Sequence, residues 1–549
     1  MSPRRARLEW AGALAAALVA IAVVCYAGRD TWFRIDVWDF LMRSQDGSLQ
    51  TWVRPHGGHL QLPAVALHRL LYATAGMDFW PWYYLPHVLG YAGLILFLWR
   101  ILLRRGAERT VAFAAYLVLL FLGVAAFLSS IAVGSLIVVA ALLVVAERID
   151  ADAAPSTRVR LVVAGALLLM VISSSLGVAG LLAALVVAAA SRRLGRWWWC
   201  FLPAVAAYGA WYLAYGGEST AGIGWGYLRH LPSETVRLLG STVQELTGVG
   251  GRVMVWGAVS GLLLGAALVW LAWRRRLRRW DWILLGTVAC YVLMILAVRA
   301  SSGYSVEQNR YSYNLIILAT PLLVPHLHFG KRWPAAARLA VLAVVAGYLL
   351  GYNVWQRLDL VNRIEYTSLR SRAGVEAVAA VLGDGEPAID DLRLGGDLLI
   401  PATAGLRVGD LRPLLADGWV PPPADPALVA SLRPALRIHD ADGIPADGAG
   451  APFELPGVGL NGCVVLKRGE PITAEVLRTG WFALRLQGRQ SRAGVELTWR
   501  DQFGEFKVNT ILNRGRAIQL AAPVGETHLT IRSGPRRVIR VCGFDRPGG

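Results

Sequence analysis

Over its first two-thirds the chain alternates long apolar runs with short, arginine-bearing polar stretches, and the period changes only in the tail. Apolar runs of about 20 residues are long enough to cross a bilayer as helices. On that criterion the pattern predicts spans near 8–27, 81–103, 111–128, 131–146, 160–174, 177–190, 197–215, 253–273, 281–298, 312–328 and 336–355, about eleven in all. Leu161 to Ser191 carries no charge and is short for two spans but long for one. A single crossing would separate Arg158 and Arg160 from Arg192, Arg193 and Arg196, against the retention of basic residues on the cytoplasmic side. Two helices turning at Ser173-Ser174-Ser175 keep both clusters together. The same argument divides 111–146 at Ser129-Ser130, with Arg104, Arg105 and Arg109 at one end and Arg148 at the other.

From 361 to 440 a helical start, Ser371 to Leu382, gives way to short apolar pieces broken by Gly, Pro and Asp, which predicts a small mixed α/β connector. From about 461 the period becomes two. Apolar pieces at 463–466, 481–486, 495–499, 506–511, 517–520, 528–531 and 538–541 recur with turn residues between them, the pattern of an antiparallel sandwich. The expected fold is a polytopic α-helical membrane domain over 1–357. It is followed by an extracytoplasmic α/β connector over 358–445 and an extracytoplasmic β-sandwich over 446–549, a fold that often binds carbohydrate. Val495, Leu497 and Trp499 share one face and read as core, so no sugar-binding residue is assigned there.

Composition agrees with a membrane chain: 55% of residues are hydrophobic, 17% are charged and the mean hydropathy is +0.47. The net charge of +18 would suggest nucleic acid in a soluble domain. Here the basic residues sit in short loops and form no stripe interleaved with aromatics, which excludes nucleic acid as a partner. Arg4, Arg5 and Arg7 precede an apolar run about twice the length of a signal-peptide core, so the first run is expected to be an uncleaved span with its N-terminus in the cytoplasm. An odd number of spans then places the tail outside a plasma membrane that the chain crosses many times. Cys25, Cys200 and Cys290 lie singly in apolar runs, whereas Cys463 and Cys542 form an even pair in the tail. In a compartment where disulfides persist, these two are expected to be bridged.

Candidate chemistry gathers in the first outer loop. Between Trp32 and Pro63 the chain reads Arg34-Ile-Asp36-Val-Trp-Asp39-Phe-Leu and then Arg54-Pro-His56-Gly-Gly-His59-Leu-Gln-Leu-Pro63. Ionisable groups beside hydrocarbon are expensive, which makes them the first place to look for a site. Asp36 and Asp39, three apart, share one face of a helical turn. Pro63 can open a helix whose Val65, Leu67, Leu70 and Leu71 lie along the membrane surface. Two further outer loops follow. One, 216–252, holds Ser233 as a helix cap, an apolar stripe of Val236, Leu239, Val243 and Leu246, and the reserve acids Glu218 and Glu245. The other, 299–311, ends in Gln308-Asn-Arg310-Tyr311. His326 and His328 fall on the inner side and read as structural.

With an acidic first outer loop, a histidine-bearing stretch leading to a juxtamembrane helix, many spans, a late outer Arg-Tyr and an extracytoplasmic tail, the chain resembles the GT-C superfamily of polyprenol-dependent glycosyltransferases. More narrowly it is similar to actinobacterial membrane proteins with an Asp-Trp-Asp-Phe-like loop followed by Pro-His-x-x-His. It departs from many members of the superfamily, which carry adjacent acids or Asp-x-Asp where this chain has Asp36-x-x-Asp39, and His-Pro-Pro where it has His56-Gly-Gly-His59.

The resemblance implies transfer of a sugar from a polyprenyl-phosphate donor to an envelope glycan or lipid acceptor outside the cytoplasm. Asp36 or Asp39 would be the general base for an inverting attack. Arg310, with Tyr311 beside it and Arg34 behind it, would hold the phosphate. His56 and His59 would orient the acceptor, neutralise the phosphate when protonated, or join the acids around a divalent metal; no metal or cofactor is otherwise assigned. Structural alternatives stand beside each role. Asp36 and Asp39 would form a solvated ion pair with Arg34, Arg310-Tyr311 an interfacial anchor, and His56 with His59 the cap of a turn. A non-catalytic glycan- or lipid-binding scaffold is the second functional class. A transporter is the third, disfavoured by the near absence of charge inside the apolar runs.

Overall fold

The computed structural model describes residues 3–383 apart from 30–31, 34–35, 46, 57, 123–130, 152–153, 220–230, 249–253, 275–276, 303–308 and 328–333, then 408–429 apart from 417–418, 422 and 427–428, and in the tail the strands, through their backbone register. Its helices are α1 (Pro3–Gly28), α2 (Asp36–Gln45), α3 (Leu49–Val53), α4 (Leu62–Ala75), α5 (Trp80–Arg104), α6 (Arg109–Leu120), α7 (Ile131–Asp150), α8 (Thr157–Ser173), α9 (Ser175–Ala190), α10 (Leu194–Ser219), α11 (Leu231–Thr247), α12 (Met254–Arg274), α13 (Arg279–Ser302), α14 (Asn309–Leu323), α15 (Ala335–Gly383) and α16 (Val408–Ala416). Among the described residues, segments of four helices are long and apolar enough to cross a membrane: Arg7–Gly28, Leu85–Arg104, Arg279–Ala297 and Ala335–Leu358. The chain is a helical membrane protein.

Two compact units divide it, Met1–Asp30 with Phe40–Arg363 and Thr31–Asp39 with Ile364–Gly549. This partition differs from the expected boundaries at two places. Thr31–Asp39 groups with the C-terminal residues, where Trp32 meets Trp419, and the other boundary falls at Arg363–Ile364 inside α15. The expected helix start at Ser371 is also corrected. α15 runs unbroken for 49 residues, since between Gln356 and Gly383 the sequence has no proline and is rich in helix formers.

In the first unit one apolar core draws on α1, α5 to α10, α13 and α14, with Ile95, Leu98, Leu142, Leu167, Leu284 and Leu318 all fully buried. The α8–α9 break falls at Ser174, which is extended (φ −171°, ψ 158°) and whose side chain accepts from the Leu176 amide. The hairpin closes tightly because Gly177 follows: a Cβ there would lie 1.9 Å from the Met170 carbonyl oxygen. α11 packs on α12 by the same device. A Cβ on Gly240 would meet the Gly257 oxygen at 2.1 Å, and one on Gly261 would meet the Val236 oxygen at 2.3 Å, the small-residue contact by which helices approach closely in lipid. The expected surface stripe of α11 is therefore partly a packed face, with Leu238, Leu239, Gly240 and Thr242 buried.

Ion pairs tie together the helix ends that carry the arginine clusters. Arg109 of α6 meets Glu9 of α1 at 2.9 Å, Arg104 of α5 meets Glu147 of α7 at 2.6 Å, and Arg105 bridges Asp150 at 3.2 Å and Asp281 at 2.8 Å. Arg279 of α13 donates to the Asp150 carbonyl at 3.0 Å, and Arg193 donates to the Ala151 carbonyl. These contacts gather one end each of α1, α5, α6, α7 and α13, with the α9–α10 turn, into a single end of the bundle. At the other end, Trp211 Nε1 near the close of α10 donates to the Val53 carbonyl at 2.6 Å. There too Arg357 of α15, 2% exposed, donates to the Leu122 carbonyl at 2.7 Å just past α6, joined by the Tyr91 hydroxyl on the Leu119 carbonyl. A cation at the C-terminal end of a helix offsets the negative pole of its dipole.

In the second unit Trp32, Phe33 and Trp38 are buried; Trp32 stacks on Phe33 at 5.3 Å, Trp38 meets both edge-on at 5.5 Å, and Trp32 lies nearly parallel to Trp419 at 6.4 Å. The Glu376 carboxylate accepts from the Ala424 amide at 2.7 Å. Nine strands follow: β1 (Phe453–Glu454), β2 (Cys463–Leu466), β3 (Pro471–Val476), β4 (Gly480–Leu486), β5 (Arg492–Asp501), β6 (Gly504–Asn513), β7 (Ala517–Ala522), β8 (Thr527–Ser533) and β9 (Ile539–Phe544). They form two antiparallel sheets, ordered β1-β3-β8-β5-β6 and β2-β9-β4-β7. In the second sheet Cys463 of β2 stands opposite Cys542 of β9.

Candidate functional site

α2 opens with both candidate acids in its first turn, where a carboxylate is favoured by the exposed N–H groups. Asp39 is half-buried, while Arg34 and the side chains of Asp36 and Arg310 lie outside the described residues. Asp36 and Asp39 belong to the second unit; His56, His59 and Tyr311 belong to the first.

Within the first unit the loop after α2 is built around Phe40, buried with Ala64 and Val65 of α4 and covered by Trp52. Arg43, also buried, reaches across the loop: Nη1 donates to the Arg54 carbonyl at 2.7 Å and Nη2 to the Pro55 carbonyl at 3.0 Å. This guanidinium fixes the chain as it arrives at His56. His56 and His59 then exchange backbone hydrogen bonds of 2.9 and 3.0 Å, closing a tight turn in which Gly58 has φ +84°, a conformation that glycine alone adopts readily. His56 and His59 are thus held on the two arms of a pinned turn. Replacing Arg43 by Met should cost about 1–3 kcal/mol by leaving two loop carbonyls without their donor. The check is thermal unfolding of the purified protein in detergent, where an unchanged midpoint would show that the turn holds without Arg43.

Pro63 sits in the first turn of α4, as expected, and of the stripe expected along the membrane surface only Val65 is buried. Ala64, Val65 and His68 point inward, while Leu70 is 60% exposed. His68 begins a row that sequence reasoning missed. Ring centres run from His56 to Phe40 at 4.6 Å, Phe40 to His68 at 5.5 Å, His68 to Tyr83 at 5.4 Å and Tyr83 to His87 at 4.5 Å. His68 and His87 are fully buried. Each uses Nδ1 on the carbonyl four residues earlier, Ala64 and Tyr83 respectively, at 2.7 Å. A carbonyl accepts only, so these Nδ1 atoms carry the hydrogen. His87 Nε2 has no hydrogen-bond partner, nor has the side-chain amide of Gln61, which is 2% exposed and lies against Gly134 of α7. One signal was available in the sequence: four of the nine histidines fall between residues 56 and 87.

Beside this loop an open cleft of about 480 Å³ runs between α3, the start of α4 and α10, lined by Leu49, Val53, Leu60, Leu62, Trp211 and Tyr215 among others. Its lining is apolar apart from Gln50 and the aromatic polar tips. Tyr311 is buried, with its ring edge-on to Tyr291 at 6.4 Å, and Asn314 donates to the Tyr291 hydroxyl at 2.9 Å. Tyr311 is thus packed inside the first unit. Glu245 is likewise engaged, accepting from Gln356 of α15, and the side chain of Glu218 and all of His328 lie outside the described residues. Among the described residues no three His, Cys, Asp or Glu side chains are placed to share a metal ion. No family model, curated protein or solved structure matches the chain.

Proposed function

We propose that this chain is a membrane glycosyltransferase that moves a sugar from a polyprenyl-phosphate donor to an envelope acceptor on the extracytoplasmic side. In this reading about eleven helices cross the plasma membrane, the arginine-tied end of the bundle faces the cytoplasm, and the two sheets of the tail form a sandwich outside. The observation that carries it is the division of polar groups between the ends of the first unit. Fixed ion pairs occupy one end, and a pinned, imidazole-bearing loop next to an apolar cleft occupies the other. The acceptor oxygen bonds to the anomeric carbon as the bond from that carbon to the phosphate oxygen breaks. Asp36 or Asp39 takes the hydroxyl proton, and the polyprenyl phosphate leaves with the bonding pair, its charge met by Arg310 and Arg34. His56 and His59 orient the acceptor, and the cleft accommodates hydrocarbon of the donor.

A second reading, a glycan- or lipid-binding scaffold without catalysis, is favoured by the buried, edge-on position of Tyr311. Asp36→Asn and Asp39→Asn variants in the native host, with membrane levels matched to the wild type, separate the two. Envelope glycans measured by mass spectrometry should change in at least one variant as they change on deletion of the whole chain. Glycans that respond to deletion but to neither variant would establish the scaffold.

A further inference from the structure

We propose that Cys463 and Cys542 form a disulfide that fastens the first strand of the four-stranded sheet to the last. The inference rests on register and not on the transferase reading. Cys463 and Cys542 are direct cross-strand partners in the antiparallel β2–β9 ladder. Directly opposed residues in such a ladder have Cα atoms about 4.5 or 5.5 Å apart, inside the window of about 4.4–6.8 Å that a disulfide requires. The two positions are 79 residues apart in sequence, and they hold the only cysteines beyond Cys290. Their meeting on neighbouring strands is a property of the fold, not of local sequence. Cys25, Cys200 and Cys290 are unbridged.

The chemistry balances with an external oxidant of stated class. Each thiol gives up one proton, one S–S bond forms, and the two electrons pass to the disulfide of an extracytoplasmic thiol–disulfide oxidoreductase, which leaves as a dithiol. Such a bond persists in an oxidising compartment and is lost in a reducing one. The pair therefore also reports on which side the tail resides.

The test is thiol counting on the full chain in its native membranes, denatured in the presence of a mass-tagged maleimide. With five cysteines in the chain and three of them unbridged, three tags are expected without reductant and five after reduction. The Cys463→Ser variant, with four cysteines, should take four tags whether or not it is reduced, and denaturing labelling reads this even where the variant folds poorly. Five tags on the wild-type chain before reduction would overturn the proposal. So would a covalent dimer that reduction resolves, since the bond would then join two chains. Neither result depends on glycan transfer, so a bridged chain with silent Asp36→Asn and Asp39→Asn variants would remove the transferase reading alone.

Discussion

The Arg105→Met variant is expected to lose about 3–5 kcal/mol of stability, the usual effect of removing one partner from a buried ion pair. Arg105 has only 14% of its side chain exposed and sits between Asp150 and Asp281, whose side chains are 19% and 10% exposed. Its guanidinium also lies over the Trp280 ring at 5.2 Å. Removing the cation leaves two carboxylates facing the same partly dry space with nothing between them. Asp281 keeps the Arg278 amide as a donor at 2.9 Å, and Asp150 keeps the Trp280 amide at 3.4 Å, which offsets little of an uncompensated charge. Adding Asp150→Asn and Asp281→Asn to the Arg105→Met chain should recover much of the loss, because the penalty belongs to the stranded charges and not to the missing bonds. Thermal unfolding in detergent measures both steps. A single variant as stable as the wild type, or a triple variant no better than the single, would mean that the network is solvated in the membrane-embedded protein.

The second large effect is expected at Gly177. An alanine there would place its Cβ 1.9 Å from the Met170 carbonyl oxygen and 2.3 Å from its carbon. Both are backbone atoms of the preceding helix, so no side-chain rotation relieves the clash. The α8–α9 hairpin must open, at about 3 kcal/mol or more, the upper end of what overpacking costs. Gly165 in the middle of α8 is the matched comparison. No atom outside its own helix stands within 4 Å of a Cβ built there, so Gly165→Ala should be neutral or gain up to about 1 kcal/mol from reduced backbone entropy. The yield of folded protein and its unfolding midpoint should fall in Gly177→Ala and hold or rise in Gly165→Ala. Equal behaviour would mean that the hairpin is looser than its geometry.

The helices were legible because an apolar run of bilayer length can satisfy its backbone only internally, and each predicted span has a helix in its place. The division at Ser174 was legible from arginine placement alone, since two hairpin arms keep like charges on one side. What the sequence concealed depends on partners far along the chain. Arg105 meets Asp281 across 176 residues, and no local pattern pairs them. Glycine contacts between α11 and α12 look in the sequence like ordinary flexible positions. The buried row through His68 and His87 was missed because both histidines lie among apolar residues, where period and hydropathy treat them as interruptions. Thr31–Asp39 groups with the second unit, where Trp32 stacks on Trp419, two aromatics that nothing in their neighbourhoods connects. Of the candidate site, the pinned turn was foreshadowed by Pro-His-Gly-Gly-His, whereas Arg43 as its clamp was not.

The strand order β2-β9-β4-β7 has a consequence for how the tail yields to force. The polypeptide comes into this sheet and departs from it on adjacent antiparallel strands, about 4.8 Å apart. Force applied at those two points therefore opens the β2–β9 ladder one residue pair at a time before it reaches β4 or β7.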